Sequence, residues 1–315
     1  MPAFLRKFMR YLPGSLGASK GPRAVLGAFG KHPAWNDHID PDLGLDDRLI
    51  QFKQLLYLDG IRDRAIPSWH KSDPTQLVQF GHVFAWEMGD EVIVGRLWHS
   101  SDGRGRDDFP MVVCAHCQGL PTSWALNSAL PVIDRVQASL QRTSDRDAAI
   151  AVVEQGRQDL AALAAHASPD GSQNSSAQSL AKIVNCQQVT ETGLLRILHV
   201  LRDSDFGADE PTHAEQVRVP SCGATPVEAI TLWAGALEAT LGRAPSMMFL
   251  APTDQSWLDI LVGIPDPGQF LALRSSLNLL PLTTEIAYTL DDAFSSQKRA
   301  LFHQAQALNA ATTVA

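Results

Sequence analysis

A chain of 315 residues with a formal net charge of -8, 45% hydrophobic and 19% charged residues can bury a substantial core without disulfide or metal staples. Its Lys and Arg are scattered rather than clustered, which excludes a nucleic-acid footprint, and no run approaches the roughly 18 apolar residues of a membrane span. Cys114, Cys117, Cys186 and Cys222 are too few and too irregularly placed for a secreted disulfide framework, so a reducing cytoplasm is the expected location.

Residues 1–23, MPAFLRKFMRYLPGSLGASKGPR, read as a flexible basic tail. Arg6, Lys7 and Arg10 interrupt every apolar run, so there is no leader-peptide core. Phe4, Phe8 and Leu12 can share one helical face opposite those cations, and membrane contact is expected through this segment or not at all. AVLGAFG (24–30) predicts a strand leading into a turn. LDDRLIQFKQLLYLDGIRDRAI then spaces Leu45, Leu49, Phe52, Leu55, Leu56, Ile61 and Ile66 at near-helical intervals. Asp46 and Asp47 suit the positive end of that helix, and Pro67 is expected to end it.

TQLVQFGHVFAWEM, EVIVGRLWHSS and FPMVVCAHC are rich in β-branched and aromatic residues and are broken at Gly89–Asp90 and at SDGRGRDD (101–108). They predict an antiparallel sheet. Residues 122–166 switch to long alanine- and leucine-rich helical patterns, SPDGSQNSSAQS (168–179) reads as a loop, and GLLRILHVLRD (193–203) as helix. TPVEAITLWAGALEATLG (225–242) predicts a helix with Thr225 as N-cap, Pro226 in the first turn and Gly242 closing it. PSMMFLAP and WLDILVGIP read as strands separated by TDQS, and DPGQFLALRSSL as a closing helix. The whole predicts an α+β fold, a mostly antiparallel sheet flanked by helices. It forms one domain over 24–300, with a helical insertion at about 122–215 and a C-terminal tail at 301–315.

GAFGKHPAWNDHID (27–40) invites two chemical readings. A phosphate loop fails, because Gly27 and Gly30 are too close and His32 and Pro33 follow Lys31 where a hydroxyl should stand. His32, Asp37, His38 and Asp40 offer imidazole and carboxylate donors for a metal, but their spacing fits no zinc pattern. Asn36 and Asp37 are equally suited to turns and to capping the next helix. CAHC (114–117) lacks the second pair of a zinc ribbon and the setting of a redox pair, so two buried structural thiols are expected. In SSDGRGRDDFP, Arg104 and Arg106 can grip an anion, while Asp102, Asp107 and Asp108 compete for the same cations and favour a loop held by internal ion pairs. No nucleophile elbow or papain-like cysteine motif is present, and no cofactor is called for.

Taken in order, GAFGKHPAWNDHI before an amphipathic helix, then SDGRGRDDFPMVV, then PSMMFLAPTDQSWLDILVGIPDPGQFLAL, resemble the TagF (ImpM) domain found with bacterial type VI secretion systems. The residues that carry the resemblance are Gly30, Lys31, Pro33 and Asp37, then Arg104, Arg106 and Pro110, and finally Gly263, Ile264, Pro265, Asp266, Pro267 and Phe270. Asn36 departs from the glycine usual in that family before the aspartate, and residues 122–215 are longer than in a compact member. The resemblance implies a non-enzymatic, cytoplasmic regulator of secretion that acts by protein–protein contact with a forkhead-associated partner. The alternative is a metal-dependent hydrolase built on His32, Asp37 and His38, with Arg104 or Arg106 as an anion clamp. It requires at least three ligands converging on one point.

Overall fold

The computed structural model describes residues 21–167, 176–202, 204 and 214–313, so the expected basic tail lies outside it up to residue 20. In chain order the elements begin with β1 (Arg23–Gly30), α1 (Asp47–Lys53), β2 (Gly81–Met88), β3 (Glu91–Trp98), β4 (Met111–Gln118), α2 (Leu130–Leu140) and α3 (Arg146–Ala165). They continue with α4 (Ser176–Val184), α5 (Glu191–Leu201), β5 (Glu215–Pro220), α6 (Pro226–Leu241), β6 (Ser246–Pro252), β7 (Trp257–Val262) and α7 (Asp292–Thr313). The fold is α+β, and every strand pairing given below is antiparallel. A single domain is the expectation from sequence, whereas the chain divides into two compact units, residues 1–67 with 90–170 and residues 68–89 with 171–315.

In the first unit β4 is the middle strand, paired with β1 (Ala28 opposite Val113) and with β3 (Gly95 opposite Cys114). Its sequence MVVCAHC is buried from end to end, because α2 packs on β3 and β4 while α1 packs against β4 and α3 against β1. A strand covered on both faces loses the apolar–polar alternation of a half-exposed one. Gly156 lets α3 approach closely: a β-carbon there would collide with Val136 of α2. The N-cap of α1 is Asp46, whose carboxylate accepts from the Leu49 amide at 3.0 Å, so the expected cap at Asn36 or Asp37 is corrected. The helical path continues through Gln54–Ala65, where amides reach carbonyls five residues back, and on to Ile66–Trp69. Pro67 therefore does not stop it.

The second unit orders its strands β2–β6–β7–β5, with Phe84 opposite Leu250 and Ile260 facing both Phe249 and Val217. Helix α6 has the expected ends. Thr225 and Glu228 form a reciprocal capping box, Pro226 starts the first turn, and Gly242 closes the helix at φ +94°. Its Trp233 is fully buried and donates its indole N–H to the Pro220 carbonyl at 2.7 Å. Residues 176–179, expected in a loop, begin α4, and residues 301–313, expected as a tail, continue α7 around buried Phe302 and Ala305. The closing helix after Asp266 is a tight 3₁₀ segment, Pro267–Arg274, rather than an α-helix.

Strand β5 lies where no element is expected, between the end of the predicted helical insertion and the helix at 225, because its centre is a charge. Arg218 is fully buried and sits directly opposite Asp259 of β7, its Nε and Nη2 donating to the two carboxylate oxygens at 2.9 and 2.8 Å. The remaining guanidinium hydrogens reach the carbonyls of Ser275 (2.6 Å), Leu280 (3.1 Å) and Ala272 (3.0 Å). One side chain thereby orders the segment after the 3₁₀ helix. Burial pushes the Asp259 carboxyl up against the opposing pull of Arg218. Asp259→Ala, which strands the buried guanidinium, is expected to cost about 3–5 kcal/mol in denaturant unfolding of this unit, whereas Arg218→Met with Asp259→Leu recovers most of the loss. Equal losses in the single and double variants would show that the pair does not act as a unit.

Candidate functional site

The end of β1 places the first family-like motif. Gly30 pairs with Met111, takes φ +114°, and leaves no room for a β-carbon, which would strike the Pro110 carbonyl. The chain then folds back on itself: Lys31 bridges to His38, and the Ile39 amide donates to the Gly30 carbonyl at 2.8 Å. Because β1 and β4 run antiparallel, the residues just after β1 meet those just before β4. Lys31 therefore arrives beside the loop SDGRGRDDFP.

That loop is organised by Asp102. Its carboxylate is buried and accepts from the amides of Arg104 (2.9 Å) and Arg106 (3.0 Å), from Arg106 Nε (2.7 Å), and from the buried ammonium of Lys31 (3.3 Å). Lys31 Nζ also donates to the Arg106 carbonyl at 3.2 Å and lies over the Phe109 ring, 5.7 Å from its centroid. Gly105, at φ +78°, permits the turn in which its amide donates to the Asp102 carbonyl. Burial alone would raise the Asp102 carboxyl, but the two amides with Arg106 and Lys31 outweigh it and hold it far below the usual carboxylate range.

Arg106 ties the two motifs together a second time, through Nη2 to the Asn36 carbonyl (2.8 Å) and to Asp37 (3.4 Å). The Gly103 amide donates to the Trp35 carbonyl at 2.6 Å. Phe109 packs edge-on against His38 (4.9 Å) and tilted against Tyr57 (5.1 Å), whose hydroxyl donates to the Pro110 carbonyl at 3.2 Å. Gly30, Lys31, Pro33, Asp37, Arg104, Arg106 and Pro110 thus belong to one interlocked pair of loops. The Arg104 guanidinium is exposed at the loop tip and meets no partner among the described residues.

The hydrolase reading requires convergence, and the histidines point elsewhere. His32 accepts the Ala34 amide at Nδ1 (3.2 Å), which places its proton on Nε2 for the Leu140 carbonyl (3.0 Å). Burial pulls its pKa down, so both ring nitrogens of a neutral imidazole are occupied by backbone. His38 is likewise lowered by burial, against the Asp37 hydrogen bond at 2.8 Å. Among the described residues no three His, Cys, Asp or Glu side chains are grouped to hold a metal, which corrects the alternative built on His32, Asp37 and His38. A cavity of about 270 Å³ beside His32 is lined in part by Trp98, His99, Ser100 and Leu140, and His99 Nε2 lies 3.6 Å from the Asp107 carboxylate.

Cys114 and Cys117 lie within β4, three residues apart and so on opposite faces, both buried. Burial pushes the Cys117 thiol up to about 12 and Cys114 higher still. The third motif is in the second unit. Gly263, at φ +110°, donates its amide to the Ser246 carbonyl and accepts the Ser246 hydroxyl, both at 2.9 Å. Asp266 caps the 3₁₀ helix that Pro267 opens, accepting the Gly268 amide at 2.8 Å, while Pro265 and Phe270 are buried. Gly263, Pro265 and Pro267 therefore build a turn.

Sequence reasoning treats Asp102 only as a competitor for Arg104 and Arg106, and overlooks Phe109 and Tyr57. The signal for Asp102 is its place two residues before Arg104 in an Asp-Gly-Arg-Gly-Arg turn, where a short carboxylate can accept successive amides.

No family model matches the chain, and no curated protein does. Among solved structures it is similar to PA0076 from Pseudomonas aeruginosa PAO1, at 17% identity and a TM-score of 0.41, over 79% of this chain and 94% of that one.

Asp102→Asn is expected to lower Tm and to expose the Arg104 and Arg106 peptide bonds to trypsin. A carboxyl depressed on folding stabilises fully above its unfolded pKa, near 3.8, and loses that stabilisation as pH falls toward the folded value. The wild type should therefore lose Tm below about pH 4, and the variant should show a shallower loss over that range. Superimposable acid limbs would mean that Asp102 does not carry the effect.

Proposed function

We propose that this chain is a non-enzymatic regulatory or accessory protein of a bacterial type VI secretion system, working in the cytoplasm by binding a forkhead-associated protein. The observation that supports the reading is the interlocking of its first two family-like motifs through Lys31, Asp102 and Arg106. Residues that are far apart in sequence and carry the resemblance are also those that hold one another in place.

The chemistry of the module favours presentation over catalysis. Lys31, His32 and Asp102 are buried and satisfied by protein groups, and a general acid or base needs a free atom facing a reacting group. What the braced loop leaves outward is Arg104, followed by Gly105, Asp107 and Asp108. A fixed backbone spares a partner the cost of ordering the loop, so that only the arginine side chain has to be immobilised, and arginine is enriched among residues that dominate interface energy.

The test is binding of the purified full chain to the forkhead-associated protein encoded with the same secretion system, measured by titration calorimetry. A complex at micromolar concentrations is expected. Arg104→Ala should weaken it about tenfold or more while leaving Tm unchanged. Absence of a complex with the wild type overturns the reading, and unaltered affinity of the variant moves the binding face away from this loop.

A further inference from the structure

In the second unit α4 lies antiparallel to α6, and three contacts fix the register. Ser176 Oγ donates to Glu238 at 2.6 Å, a β-carbon on Gly235 would meet Ser179 Oγ at 2.5 Å, and Lys182 lies near enough to Glu228 to favour its charged form. Numbers rising along one helix are matched by numbers falling along the other. Continued past the end of α4 and back before the start of α6, the same register brings Cys186 to Cys222. There the Cys186 side chain comes near enough to Cys222 to act on its ionisation, and both thiols are half-buried, unlike the sealed thiols of β4.

The backbone holds each of them. The Cys186 amide donates to the Ile183 carbonyl and its own carbonyl accepts the Val189 amide, both at 3.0 Å. Cys222 sits in the turn that joins β5 to α6, where the Ala224 amide donates to the Ser221 carbonyl at 3.3 Å. At φ +57° it is the one non-glycine residue with positive φ among those described. A β-carbon there is uncommon outside Asn, Asp and His, and a sparsely populated backbone state of this kind prompts the question of what the side chain does.

We propose that Cys186 and Cys222 are a dithiol that closes to an intramolecular disulfide when the protein meets a low-molecular-weight disulfide such as oxidised glutathione. One cysteine thiolate attacks the S–S bond of the oxidant and releases a first glutathione thiolate, which takes up a proton. The neighbouring cysteine loses its proton to solvent, attacks the mixed disulfide and releases the second. Two protein S–H bonds and one glutathione S–S bond give one protein S–S bond and two glutathione S–H bonds, so the protein gives up the two electrons that the oxidant gains. The bridge staples the end of α4 to the entry of α6 and closes the loop of residues 187–221, which restricts the unfolded chain.

Full-length protein is incubated with oxidised glutathione, denatured with N-ethylmaleimide, and digested with trypsin without reduction. The expected product is peptide 183–196 joined to peptide 219–243 with the loss of two hydrogens. Alkylation is then confined to Cys114 and Cys117. Cys186→Ser and Cys222→Ser should each retain glutathione on the remaining partner, since nothing is left to displace it. Glutathione adducts persisting on wild-type Cys186 or Cys222 without a cross-link overturn the proposal. So does alkylation of all four cysteines, or a bridge that includes Cys114 or Cys117.

Discussion

The carboxylate of Asp102 accepts four hydrogen bonds inside the protein, two from the amides of its own loop and two from cations. A buried anion is tolerated only when its lone pairs are filled, and here the filling groups come from both family-like motifs. Without Asp102, the Lys31 ammonium would be a buried charge left with one carbonyl and one ring face. Without Lys31 and Arg106, the loop of residues 101–109 would hold an anion balanced by backbone alone. The turn of residues 27–40 and the glycine-rich loop are therefore one object in energetic terms, and Gly30 is required because that object begins where two backbones nearly touch.

Elements decided by local chemistry were legible from the chain. Thr225, Pro226 and Gly242 mark both ends of α6 because capping needs only residues within one turn, and β1, β4, β6 and β7 declare themselves as runs of apolar and β-branched side chains. Where a distant partner decides, the chain is silent. Arg218 in the middle of EQVRVP argues against a buried strand until Asp259, 41 residues on, is known to face it. Helix α7 escapes notice for another reason: only Phe302 and Ala305 of its described side chains include buried apolar groups of the core, so its periodicity is faint and alanine propensity carries it.

The candidate site shows the same division. Lys31, Asp37, Arg104 and Arg106 are marked by their place in a recognisable pattern, yet spacing does not reveal that Lys31 is sealed inside while Arg104 is outside. Residue type alone made His32 and His38 plausible ligands. The deciding fact is direction, because His32 turns toward the Leu140 carbonyl and His38 toward Phe109. Direction is set by the pairing of β1 with β4 and by α2, none of which is local to the histidines.

The two buried ion pairs solve one problem in different ways, and the difference bears on function. Arg218 spreads its charge over a planar fork and fills every position, with a bidentate carboxylate on one side and four carbonyls on the other. Nothing of that network faces outward. Lys31 is a compact charge that one carboxylate and one carbonyl nearly satisfy, which leaves Asp102 with capacity for the amides of a surface loop. The first arrangement fixes an interior, whereas the second transmits the rigidity of the sheet to an exposed arginine two residues away. A protein that works by contact gains from the second kind, since a loop already held in its bound shape loses less entropy when a partner closes on it.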